Sequence, residues 1–244
     1  MSGNVRLGAV LVAALAIGCG SSGSGVGKKP LTATPQMKSS AKTSVDSATE
    51  LGKLKTNAND SSGLGAFGQI YGSANVLVGS VQQAGLSGAL VSALTTGEGC
   101  ATTAGGTITY DNCTYGSTVV DGTITVSGDT ISIDVVYDMS GGSGSVTAVK
   151  LDFNGSVTVT AAQIDGTLTV TTNAATTSYG SVTGTTVIDY NAITLAGGCA
   201  TGGSLDIHSE SGMAGYTYTT EISVAFGPSC GDATMTGGTD MPGA

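Results

Sequence analysis

The chain has no tryptophan, a single histidine, three phenylalanines and four prolines. With His208 as the only histidine and no Cys-x-x-Cys spacing, zinc is a poor reading of the cysteines. No Gly-x-Ser-x-Gly elbow, His-Glu-x-x-His pair or P-loop occurs, so the usual hydrolase, metallopeptidase and nucleotide signatures are missing. There is no Gly-X-Y period to support a collagen helix, and 40% hydrophobic residues is too many for a disordered chain. What is present is 40 glycines, much Ser and Thr, and an apolar content carried by Val, Ile, Leu and Ala. The length suits one well-buried domain or two small ones.

Basic residues are scarce, and their placement says more than their number. Seven of the eight (Arg6, Lys28, Lys29, Lys38, Lys42, Lys53 and Lys55) precede residue 57, beside only Asp46 and Glu50. From residue 57 onward Lys150 stands alone against fifteen acids. Such a body repels phosphate, which argues against a nucleic-acid partner. The early lysines either rest on anionic headgroups, at roughly 1 kcal/mol each, or belong to a solvated linker and helix face.

The start of the chain reads as an export signal. Arg6 precedes an apolar run, Leu7 to Ile17, that ends in Leu15-Ala16-Ile17-Gly18-Cys19. A small residue followed at once by cysteine resembles the lipobox of bacterial lipoproteins, with Ala16 where the family pattern has Leu. The resemblance implies a signal peptide over 1–18, lipidation (palmitate) of Cys19, and membrane attachment through that anchor. Gly20 follows in place of the Asp that holds lipoproteins at the inner membrane in the best-known systems. The resemblance therefore implies outer-membrane residence, at the periplasmic face or the cell surface. An ordinary signal peptide cut elsewhere is the alternative reading of the same run.

Residues 19–34 read as a Gly/Ser-rich tether with a reach on the order of 20 Å. Thr34-Pro35 is an N-cap and first helical residue, and Met37, Ala41, Val45, Ala48 and Leu51 then recur on one helix face. Asn57 to Gly63 is expected to break it. From Ser61 to Gly97 there is no charge. Leu64, Phe67, Tyr71, Ala74, Val78 and Val81 form one apolar helix surface, and Ile70, Leu77 and Ala84 another. A helix apolar nearly all round is buried in protein or in lipid; Gln69, Asn75, Gln82 and Gln83 weaken the lipid reading. A short helix over 86–94 completes a helical part, 35–97.

After Cys100 the period changes to two. Ile131, Ile133, Val135, Tyr137 and Met139 alternate with polar residues; Val149, Leu151 and Phe153, then Val157 and Val159, then Leu168 and Val170 follow. Val182, Ile188 to Tyr190, and Tyr216 to Phe226 close the series. Alternation of this kind predicts antiparallel strands with one buried face. Gly128-Asp129 and Asn154-Gly155 read as two-residue hairpin turns; Asp121-Gly122 and Asp165-Gly166 read as turns or as bulges. The expected fold is α+β, mostly antiparallel: one domain over 35–244, with the helices packed on or inside a curved or barrel-like sheet of nine to eleven short strands spanning 100–237.

Two internal echoes stand out. Val120–Val126, Phe153–Val159 and Ile164–Val170 share the pattern apolar, Asp or Asn, Gly, Thr or Ser, apolar, Thr, Val. Cys100-Ala101-Thr102 and Cys199-Ala200-Thr201 each lead through Gly-Gly into a strand. That symmetry favours Cys100–Cys113 and Cys199–Cys230 among the three pairings open to four cysteines of an exported protein.

Chemistry is thin. In His208-Ser209-Glu210 neighbouring residues of a strand point to opposite faces, so no relay forms. The acids Asp111, Asp121, Asp129, Asp134, Asp138, Asp152, Asp165 and Asp189 fall at turns or on wet faces, where calcium would find oxygen ligands; solubility and edge protection are the other account. Asn112-Cys113-Thr114 matches a glycosylation sequon. The expected function is therefore that of a non-enzymatic envelope lipoprotein with a structural or binding role. The alternative is a carrier holding an acyl chain or other apolar ligand in the curved sheet under a helical lid, which in architecture resembles the envelope carriers that sort lipoproteins. Large Val, Ile and Tyr side chains meeting the helix would fill that space and decide between the two.

Overall fold

The computed structural model describes residues 29–55, 61–77, 100–115, 117–140, 146–176, 180–213 and 216–240. Helix α1 spans Pro35–Leu51, with the Thr34 hydroxyl accepting the Met37 N–H at 3.2 Å and Pro35 at its start. Met37, Ala41, Val45, Ala48 and Leu51 are all buried, as their spacing predicts. A tight 3-10 turn, Gly52–Lys55, ends the helix and buries Leu54. Helix α2 spans Ser61–Leu77, so the break expected over 57–63 is shorter than the sequence indicated. Gly63 costs about 1 kcal/mol inside a helix, which burial of Phe67, Ile70 and Tyr71 further along offsets. Val78, Val81, Ala84 and the helix expected over 86–94 lie outside the described residues.

The strands are β1 (Lys29–Pro30), β2 (Thr102–Ala104), β3 (Thr107–Tyr115), β4 (Thr118–Ser127), β5 (Thr130–Ser140), β6 (Val146–Val159), β7 (Gln163–Thr176), β8 (Gly180–Ala196), β9 (Cys199–Met213), β10 (Tyr216–Phe226) and β11 (Ala233–Asp240). From β2 to β11 each pairs antiparallel with its successor, and β1 adds itself outside β11. The result is one open, curved eleven-stranded sheet, mostly antiparallel as expected. Both helices lie against its inner face, where Ser44 of α1 meets Tyr190 and Tyr71 of α2 meets Phe153.

Two expectations are corrected. Asn154-Gly155 is no hairpin turn: β6 runs straight through it, with Asn154 opposite both Asp134 and Thr169. The two runs flanking it are one strand of 14 residues. The tether also ends earlier than residue 34. Lys29 and Pro30 pair with Gly237 and Thr236, and the Leu31 N–H reaches the Met235 carbonyl at 2.9 Å. A Cβ at Gly237 would overlap the Glu221 carbonyl oxygen and the Ile222 side chain of β10 and crowd Leu31. Beyond Phe226, where the alternating series closed, a turn leads into β11, whose inner face carries Met235 and Gly237. The Gly128-Asp129 turn between β4 and β5 is as expected.

The three-fold repeat has a physical role. Gly122, Gly155 and Gly166 have φ of 122°, 138° and 136°, and a Cβ at any of them would overlap a carbonyl oxygen of the adjoining strand. In two copies the preceding Asp pins a bulge. Asp121 faces the extra residues Asp111 and Asn112 of β3, and its carboxylate accepts the Asn112 N–H at 3.2 Å. Asp165 faces Asn191 and Ala192 of β8 and accepts the Ala192 N–H at 2.9 Å. Asn112 and Ala192 are the two non-glycine residues with positive φ among the described residues. Asp121-Gly122 and Asp165-Gly166 thus belong to bulges, which bend a strand and increase its twist.

Glycine substitutions test this account. Gly155→Ala should cost on the order of 2–4 kcal/mol, because strain and overlap add. Gly128→Ala, in a turn with open space around it, should cost only about 1 kcal/mol. Urea denaturation of both variants measures the difference; equal losses would contradict the close-approach role.

Candidate functional site

The inner face is where the sequence places an apolar helix surface, and it is filled. Ile131, Ile133, Val135, Tyr137 and Met139 of β5 all point inward and are buried. Val135 lies beside Phe153, and Tyr137 beside Leu151, in the ladder. The Phe153 ring receives Tyr71 edge-on at 5.7 Å and packs edge-on against Tyr137 at 5.5 Å, a favoured geometry for aromatic pairs. From α2, Phe67 and Tyr71 are 2% and 1% exposed, with Ile70, Ala74 and Leu77 equally enclosed. The uncharged helix is therefore core. The Leu64 side chain, Val78 and Val81 lie outside the described residues.

Hydroxyl pairs hold this interface, while the buried Asn75 Nδ2 of α2 has no hydrogen-bond partner among the described residues. The Tyr71 hydroxyl shares a 2.7 Å hydrogen bond with Thr172, and Ser44 shares one of 3.1 Å with Tyr190. Ser47 donates to the Gln69 carbonyl oxygen at 3.2 Å, tying the helices together. Burial pushes the Tyr190 phenol well above its ordinary value, and the Ser44 hydrogen bond opposes this in part. The phenol is thus a neutral hydrogen-bonding strut at neutral pH.

The polar candidates lie on the outer face. His208 and Glu210 point outward together while Ser209 points inward, 6% exposed and bonded to Thr186 at 3.1 Å. The strand thus separates the hydroxyl from the imidazole, as its period requires. His208 instead lies 3.5 Å from Glu210 and 3.3 Å from Glu221 on β10. The acids hold the sheet's own backbone and side chains: Asp121 and Asp165 pin bulges, and Asp189 accepts from Thr167 at 2.6 Å. Asp134 and Asp138 share the exposed face of β5, as expected. Among the described residues no group of three or more His, Cys, Asp or Glu side chains is arranged to hold a metal ion.

Both disulfides form as the sequence symmetry indicated. Cys100–Cys113 ties the approach to β2 onto β3, and Cys199–Cys230 ties the start of β9 to the turn after β10, with Cα separations of 5.6 and 5.4 Å. Each closure stabilises by roughly 3–4 kcal/mol in the chain-entropy account.

Sequence reading missed a cleft of about 340 Å³ beside the first half of α1. Its other walls are the β8–β9 turn, the Cys199–Cys230 disulfide and the turn between β10 and β11. The signal was in the sequence as the stripe Lys38, Lys42, Asp46 flanking buried Ala41 and Val45. It carried no partner wall, because the residues opposite are more than 150 positions away.

Two measurements check the interior. Phe67→Ala should cost about 3–5 kcal/mol in chemical denaturation, the usual range for emptying a packed aromatic site; unchanged stability would mean a loosely held lid. Above about pH 10 the unfolded chain loses the Tyr190 proton while the native state keeps it, so stability should fall as pH rises there. Tyr190→Phe should flatten that decline, and an unaltered slope would contradict the buried-phenol assignment. Compared with family models, curated proteins and solved structures, the chain matches none of them.

Proposed function

We propose that this is a non-enzymatic, lipid-anchored protein of the bacterial cell envelope, with a structural or binding role at the outer membrane. The observation that carries the reading is Leu15–Cys19, followed by a glycine- and serine-rich segment that ends where Lys29 enters the sheet. In this reading Cys19 bears the acyl anchor, and the short tether lets the acidic body stand off the membrane at its periplasmic face or at the cell surface. Two disulfides in the body are in keeping with an oxidising compartment. Gly20 supports outer-membrane residence by the sorting pattern of the family it resembles. The filled inner face supports this reading over a carrier with its ligand beneath the helices, since Tyr71, Phe153 and Tyr137 occupy that space.

Metabolic labelling with palmitate tests the proposal. The wild-type chain should incorporate label and sediment with outer membranes, while Cys19→Ser should do neither. Absence of label from the wild type would overturn the anchor.

A further inference from the structure

We propose that the cleft beside α1 binds one single-chain zwitterionic amphiphile, its apolar chain in the cleft and its phosphate at Lys38. The floor is Ala41 and Val45, 1% and 3% exposed, and Phe226, Ala200 and Ala233 line the sides as partly buried apolar residues. Every charged lining group is at the rim: Lys38, Lys42 and Asp46 one turn apart along α1, and Asp232 on the opposite side. Lys42 is paired with Asp46. Lys38 has no ion-pair partner among the described residues. It also stands near the N-terminal end of α1, where the backbone dipoles favour a negative group.

This distribution selects the ligand. Small polar solutes are oriented by a few buried polar side chains, and the buried lining side chains here, Ala41 and Val45, are apolar. Apolar surface at the floor and charge at the mouth suit a molecule with the same division. The charges left unpaired on the rim, Lys38 and Asp232, match a phosphate and an ammonium in one head group. The volume lies at the small end of ligand cavities, which fits one chain better than two. The cleft runs along the flank of α1, its floor formed by Ala41 and Val45 of the core cluster. It stands whether or not Cys19 carries an anchor.

The test is calorimetric titration of dodecylphosphocholine, below its micellar concentration, into the full chain carrying Cys19→Ser. Saturable one-to-one binding is expected, with none for phosphocholine alone. Lys38→Glu should weaken it about fivefold, the scale of an exposed ion pair, and dodecyltrimethylammonium, which lacks the phosphate, should bind the wild type about fivefold more weakly. Ala200→Leu, which fills the cleft, should weaken binding by more than about tenfold; Ala233→Leu is a second filling variant if the first unfolds. Lys53→Glu, away from the cleft, should leave the affinity unchanged. Absence of saturable binding, equal binding of the cationic amphiphile, or full binding by a folded cleft-filled variant would overturn the proposal. Flotation with phosphatidylcholine vesicles separates the sources of the chemistry. Capture that Ala200→Leu abolishes places a membrane lipid's chain in the cleft, whereas capture that survives it is surface adsorption and contradicts the site.

Discussion

Everything in this fold depends on covering one apolar face of a large sheet. Strands β4 to β10 each present inward a row of Val, Ile, Leu, Tyr or Phe, and an open sheet of eleven strands has no second sheet to bury them. Helices α1 and α2 supply the cover. Neither helix is strongly built on its own: α1 has a narrow face of small residues, and α2 contains Gly63, Gly65, Gly68 and Gly72. Isolated helices of this length are marginal in water, so the cover is stable only because the sheet receives it. Small residues also let the helices lie close enough for Ser47 to reach Gln69. The Tyr71–Thr172 and Ser44–Tyr190 hydroxyl pairs then fix each helix against its own strands, and a buried hydroxyl left without such a partner would be costly.

Curvature is the second condition, and glycine provides it. Gly122, Gly155 and Gly166 lie on β4, β6 and β7; Gly155 is displaced by two residues from the level of Gly122, across β5, and Gly166 by two more, so they trace a diagonal across the sheet. At each, neighbouring backbones approach closer than any side chain would allow. The Asp121 and Asp165 bulges add twist beside the first and last of them. The exposed margins are short: β2 has three residues and β1 two, lengths that limit edge-to-edge pairing with other chains.

The periodicity of the strands and of α1 was legible in the sequence because burial on one face imposes it directly. Both disulfide pairings were legible too, through the Cys-Ala-Thr echo at Cys100 and Cys199. The Asn154-Gly155 turn was misread because the same dipeptide serves a hairpin and a strand crease; only the neighbouring strands, which pair through it, distinguish the two. Docking of Lys29–Leu31 on β11 escaped notice because backbone pairing at an edge asks little of side chains. The cleft was invisible for a different reason. Its walls come from α1 and from two turns near residues 198 and 232, and no local pattern joins elements so far apart. The outer face was read correctly as polar, but Asp121, Asp165 and Asp189 accept from the chain's own N–H and hydroxyl groups, which sequence alone does not reveal.

The central claim is that the helices and the sheet form one cooperative core. Native-state hydrogen exchange measures this most directly, because it reports the free energy of opening for each amide. The account predicts that the slowest amides of α2, around Ile70 to Ala74, exchange only through the same global unfolding that releases β5 to β8. Exchange of α2 through a separate, lower-energy opening while those strands stay protected would contradict it, and would make the helix a lid.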